Sequence, residues 1–158
     1  MPIIVGVFII TTSSAVLANE AVEIVKKLYS VADGKNYDAE FMDKLIASDF
    51  KDHNRDHVVE GVSDRDATIG FYSQLAQGFP DELHKLLMLE PVGEDKALLY
   101  WEWSGTNTGS FFDIPPSGNK VKINGIEIFR VKDGQIVDMW HVEQLDKLNK
   151  QLQGVKHP

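Results

Sequence analysis

The chain has 158 residues, 43% hydrophobic and 25% charged, enough for one folded domain with a real core. Its formal net charge of −8 argues against nucleic acid or anionic lipid as partners, since such a surface repels both. It contains no cysteine, which excludes disulfides, thiolate metal sites and a thiol nucleophile.

Residues 1–18, MPIIVGVFIITTSSAVLA, carry no charged side chain. Two readings stand side by side. Small residues ending at Ala18 fit a cleaved secretory signal, although no Lys or Arg precedes the apolar run. Ile3, Ile4, Val5, Val7, Phe8, Ile9 and Ile10 fit equally an N-terminal β-strand. The first reading implies a periplasmic or secreted protein, the second a cytoplasmic one. The apolar run is too short to cross a bilayer, which takes about 20 residues. Residues 19–158 then form the single domain.

Asn19 can cap a helix whose apolar positions Val22, Val25, Leu28, Tyr29 and Ala32 recur at helical spacing, with Gly34 as its stop. A second short helix starts near Asp38, with Phe41, Met42, Leu45 and Ile46 on one face. Residues 49–54 read as a short strand or turn leading into the polar cluster Asp52, His53, Asn54, Arg55, Asp56 and His57. Ser63 caps a third helix, with Asp66 completing a capping box, and Gly78 with Pro80 ends it. Four strands follow at 86–92, 97–108, 121–132 and 136–144. Gly93-Glu94-Asp95-Lys96 and Lys132-Asp133-Gly134 supply turns, and a final helix occupies 145–152. Helices first and an antiparallel meander after them predict an α+β fold with helices on one sheet face.

The connection at 105–118, GTNTGSFFDIPPSG, is a loop of constrained shape, and such loops often border a site. With EIFRVKDGQIVDMW after it, KQLQG near the end, and DFKDHN and GFPDELH upstream, it resembles the SnoaL-like polyketide cyclase and ester cyclase family over about residues 48–154. The resemblance implies the nuclear transport factor 2-like cone: three N-terminal helices over a curved antiparallel sheet that encloses a deep pocket. It also implies cofactor-independent acid/base chemistry. In cyclases of this family a carboxylate just after the last-strand Trp acts as acid/base; that position is Gln144 here, and Gln cannot exchange a proton near pH 7. Gly-Thr-His-Thr-Gly of the family is Gly105-Thr106-Asn107-Thr108-Gly109, while Asp52-His53 is retained.

Strand alternation offers other carboxylates. Glu102 shares its face with Tyr100, Ser104 and Thr106, and reads either as a site residue or as a solvated or interface position. Glu127 has apolar company, so desolvation would raise its pKa towards a useful base, unless an Arg or Lys pairs with it. His53 is either a pocket base or hydrogen-bond donor, or a turn residue held by Asp52 or Asn54; His57 is a weaker candidate. Under the family alignment the Trp140 face, with Gln144, looks into the pocket, and His141 points outward. Asn107, Phe111, Phe112 and Tyr72 complete the expected ligand-binding set. Asp52, His53 and His57 make only a weak metal site, so neither metal nor other cofactor is expected.

The leading expectation is a cyclase, isomerase or hydrolase in which His53 and Glu127, or Glu102, move protons on a small hydrophobic carbonyl or ester compound. The alternative is a lipophile-binding protein without turnover, suggested by Gln144. Either form is expected as a homodimer through an outer sheet face carrying Met139, His141 and Trp101 or Trp103.

Overall fold

The computed structural model describes residues 13–55 and 58–154, so the strand read at residues 3–10 and the candidate His57 lie outside the described residues. Helix α1 runs Ser14–Ser30, starting five residues before Asn19. Its buried stripe is Ala21, Ile24, Val25, Leu28 and Tyr29; it shares Val25, Leu28 and Tyr29 with the sequence reading, while Val22 is only partly buried and Ala32 lies beyond the helix. Helix α2, Ala39–Leu45, is capped by Asp38, whose side chain accepts from the Phe41 N–H at 3.0 Å. Helix α3, Asp64–Gly78, opens on the capping box: the Asp66 N–H donates to Ser63 Oγ at 3.0 Å and Ser63 Oγ donates back to the Asp66 carboxylate at 2.7 Å.

Five strands form one sheet in the order β1-β5-β4-β3-β2: β1 Ile46–Asp52, β2 Leu83–Val92, β3 Lys96–Thr106, β4 Lys120–Lys132 and β5 Gln135–Glu143. The meander β2 to β5 is antiparallel as its turn signals predict, while β1 joins the far edge parallel to β5. Helix α4, Leu145–Leu152, follows and buries Leu148 and Leu152. Alternation sorts the sheet into two faces. Ala97, Leu99, Trp101 and Trp103 on β3 and Val121, Ile123, Glu127, Phe129 and Val131 on β4 turn inward and are buried in the core.

Two strand limits differ from the sequence reading and matter for function. Strand β2 begins at Leu83, not at residue 86, which brings His84 into the sheet opposite Trp103. Strand β5 ends at Glu143, leaving Gln144 outside it as the N-cap position of α4. The long connection between β3 and β4 is organised by Asn107, which is fully buried. Its amide nitrogen donates to the Gly109 carbonyl at 2.9 Å, with a longer bond to Gly78 at 3.4 Å, and its amide oxygen accepts from the Ser117 N–H at 2.8 Å. Its amide ties the loop to itself and to the end of α3, and the side chain is fully buried, so Asn107 stands as a staple where a ligand contact was expected.

Candidate functional site

Beneath the sheet, Glu127 on β4 is 5% exposed and accepts a hydrogen bond from the Tyr29 hydroxyl on α1. The Tyr72 hydroxyl on α3 donates to Tyr29 at 3.3 Å, so three elements converge on one carboxyl group. Burial pushes Glu127 up to about 7; the Tyr29 bond pulls the other way and the Glu143 charge adds to the rise. Burial likewise keeps both tyrosines well above their ordinary pKa, so they remain donors. The Trp101 indole N–H is buried without a well-formed hydrogen bond, yet it is close enough to favour the Glu127 carboxylate slightly.

Register places His141 beside Glu127, and His141 is held on both nitrogens: Nε2 lies 2.9 Å from Asp52 on β1 and Nδ1 2.5 Å from Glu143. Burial alone would lower the imidazole pKa, but these two carboxylates overcome it and raise it to about 10. His141 is therefore a fixed cation at neutral pH. Its side chain is 17% exposed and that of Glu143 19%, which makes this end the rim of the site. The sign of the linkage follows from the raised folded pKa. Below the unfolded value of 6.5 the stabilisation is fully present, and it is lost as pH rises through about 10. Urea midpoints of the wild type are expected to fall between pH 6.5 and 10, and His141→Gln should flatten that slope.

A second constellation sits on the opposite face. His53 Nε2 is 2.6 Å from Asp138 Oδ1, Arg130 grips the other oxygen of Asp138 through Nε at 2.7 Å and a second contact, and the His53 ring stacks on Trp140 at 4.4 Å. Burial would raise Asp138, but the His53 and Arg130 bonds hold it below its usual value. Cross-strand partners share a face, and Trp140 pairs with Ile128 whereas His141 pairs with Glu127. The expected orientation of β5 is thus reversed: His141 looks inward and Trp140 outward. His53 goes with Trp140, so it does not meet Glu127.

The other candidates disperse. Glu102 is on the outer face, paired with Lys122 at 2.8 Å. Gln144 is exposed and occupied locally, accepting from the Asn124 N–H and from Lys147 Nζ, each at 3.2 Å. Phe111 is buried against Phe79, whereas Phe112 is 54% exposed. Tyr72 alone of the expected ligand-binding set stands beside Glu127. One open cleft of about 440 Å³ is lined by Ala39, Glu40, Asp43, Asp66, Ile69 and Gly70, and another of about 420 Å³ by Gln144, Asp146, Lys147 and Lys150. Neither touches Glu127; the inner face is filled by the core, Trp101, Trp103, Phe129 and the two tyrosines included.

A third polar group was not anticipated. At the end of α1, Asp33 Oδ1 lies 2.5 Å from His84 Nδ1 and its Oδ2 accepts the His84 N–H at 2.9 Å. Glu82, 5% exposed, accepts from the Trp103 indole at 2.6 Å and from the Gly34 N–H at 3.1 Å. Burial lifts Glu82 to about 7 against those bonds. In the sequence, Glu82 and His84 lie together in the GFPDELH stretch, which entered only as part of the family resemblance.

A model of SnoaL-like polyketide cyclases matches residues 22–152. No curated protein matches the sequence. Among solved structures, AclR from Streptomyces galilaeus, a candidate hydroxylase, aligns with a TM-score of 0.73 at 19% identity over 90% of this chain and 85% of that one. A candidate SnoaL-like polyketide cyclase from Jannaschia sp. CCS1 aligns at 0.73 with 23% identity over 90% and 96%. IdmH from Streptomyces antibioticus, a candidate polyketide cyclase, aligns at 0.67 with 24% identity over 83% and 96%. At these identities the likeness is one of fold.

Proposed function

This chain belongs to the SnoaL-like polyketide cyclase family, and from that membership we propose that it is an acid/base catalyst that cyclises, isomerises or hydrolyses a small hydrophobic carbonyl or ester compound. The observation that carries this reading is Glu127, a buried carboxyl with a pKa of about 7 in a water-poor setting. Near that pH it can take a proton from the carbon beside a carbonyl and return it later. Tyr29, with Tyr72 behind it, fixes the orientation of the carboxyl group. His141 spends both nitrogens on Asp52 and Glu143, so it fixes the rim of the site and does not itself move a proton. A substrate that comes in over the half-buried rim of His141 and Glu143 must displace core side chains to reach Glu127. Desolvation supplies the activation, so this chemistry calls for no cofactor.

As assembly we propose a homodimer through the outer sheet face. Leu83, Met88, Ile126 and Val142 are exposed there, whereas Met139, Trp101 and Trp103, expected at the interface from sequence, are buried on the inner face. Native mass spectrometry of the full chain from a bacterial host tests both statements. The expected result is a dimer that retains a lipophilic compound and releases it chemically changed after incubation. A ligand recovered intact would overturn the catalytic reading and leave a carrier, and a monomer mass would overturn the assembly.

A further inference from the structure

We propose that Asp33, Glu82 and His84 bind one divalent transition-metal ion of the zinc class, which clasps the end of α1 to the start of β2. One ligand atom from each of the three lies within 4.8 Å of the other two, and all three residues are buried. They come from separate segments: the loop after α1, the turn before β2 and β2 itself.

Chemistry narrows the ion. Two carboxylates and an imidazole suit zinc, cobalt, iron or manganese, whereas calcium and magnesium prefer oxygen alone. Two buried carboxylates with one neutral imidazole carry two negative charges, which a divalent cation balances. The hydrogen bonds already present are those a metal site needs behind its ligands. Asp33 Oδ2 accepts from the His84 N–H, and the two Glu82 oxygens accept from the Gly34 N–H and the Trp103 indole, each keeping a further lone pair. The ion takes the place of the proton between His84 Nδ1 and Asp33 Oδ1. That pair must then part from 2.5 Å to about 3.3 Å, within reach of a side-chain rotation.

The backbone is built for this approach. Gly34 has a φ of +35°, and a Cβ there would stand 2.7 Å from the Pro80 carbonyl oxygen. Only glycine lets the loop carrying Asp33 press against the turn carrying Glu82.

The test uses full-length protein stripped with a chelator and then titrated with Zn²⁺ or Co²⁺. The expected result is one ion retained per chain after dialysis, a rise in melting temperature, and quenching by Co²⁺ of the fluorescence of Trp103, which touches Glu82. Glu82→Gln keeps the shape but only one acceptor oxygen for the two donors, the Gly34 N–H and the Trp103 indole, so its fold is checked by circular dichroism before it is titrated. It should lose more affinity than the roughly 10–100-fold that removal of an outer partner costs. His84→Ala should lose binding as well, while His53→Ala, altered in the outer-face pair with Asp138, should keep it. Failure to retain metal, or equal retention by Glu82→Gln, would overturn the site and leave an adventitious ion only. Because no activity is measured, this result stands or falls apart from the catalytic proposal.

Discussion

Glu127→Gln is expected to lower turnover by at least ~100-fold while leaving the protein folded and, above pH 7, more stable than the wild type. The two effects share one cause. Burial raises the folded-state pKa of Glu127 from 4.5 to about 7. For a group raised in this way, its contribution to stability is fully present below 4.5 and is lost as pH rises through about 7. Above that point an ionised carboxylate is buried at a disadvantage of about 3 kcal/mol, since each tenfold change in proton affinity is worth about 1.4 kcal/mol. Glutamine carries no charge, and its amide oxygen can still accept from Tyr29. Urea midpoints at pH 8 should therefore rise. The wild-type rate should climb through about pH 7 as the base loses its proton. An unchanged rate in the variant would remove Glu127 from the mechanism, and an unchanged midpoint would mean that its carboxyl is hydrated.

Asn107→Ala is expected to destabilise the fold by about 3 kcal/mol. The substitution strands the Ser117 N–H and the Gly109 carbonyl, and leaves a hole where a fully buried amide stood. For a chain of this size that is a fall of about 6–12 °C in melting temperature. Gly109→Ala should be comparable for a different reason, since its Cβ would meet the Gln77 carbonyl oxygen at 2.0 Å and the backbone would have to move. Differential scanning calorimetry decides both. A melting point within 2 °C of wild type for Asn107→Ala, roughly half a kcal/mol, would show the side chain to be free for a ligand after all.

Elements with one apolar face were legible because periodicity is a local property. The stripe of α1, the capping box of α3 and the turns of the meander appear where the sequence indicates them. The resemblance seen in residues 105–118 and their flanks corresponds to the family match. Facing was harder for β5, whose two faces both carry polar and apolar residues, so alternation alone could not say which turns inward. An irregularity in its pairing with β4 between Arg130 and Val131 adds to the ambiguity. The burial of Glu127 was legible because the same-face neighbours read for it, Ile123, Phe129 and Val131, are apolar. Its donor Tyr29 was legible only as a core position, and Tyr72, which donates to Tyr29, only as an expected pocket residue, since nothing local tells a buried hydroxyl where its acceptor is. Asp33 and His84 are 51 positions apart, and only tertiary structure joins them.

Two adjacent pairs, Asp52-His53 on the edge and Trp140-His141 beside it, divide their members between the two faces of the sheet. For a lineage accumulating changes, this makes the two faces separately adjustable. Single substitutions can retune the outer surface for assembly without disturbing the inner charge, and the reverse. Length changes are another matter. One residue gained or lost within β1 or β5 would exchange the contents of both faces at once, placing a Trp where the cation stands and a cation on the outer surface. Diversification on this scaffold should therefore proceed by replacement along these strands, with insertions and deletions confined to the loops between them.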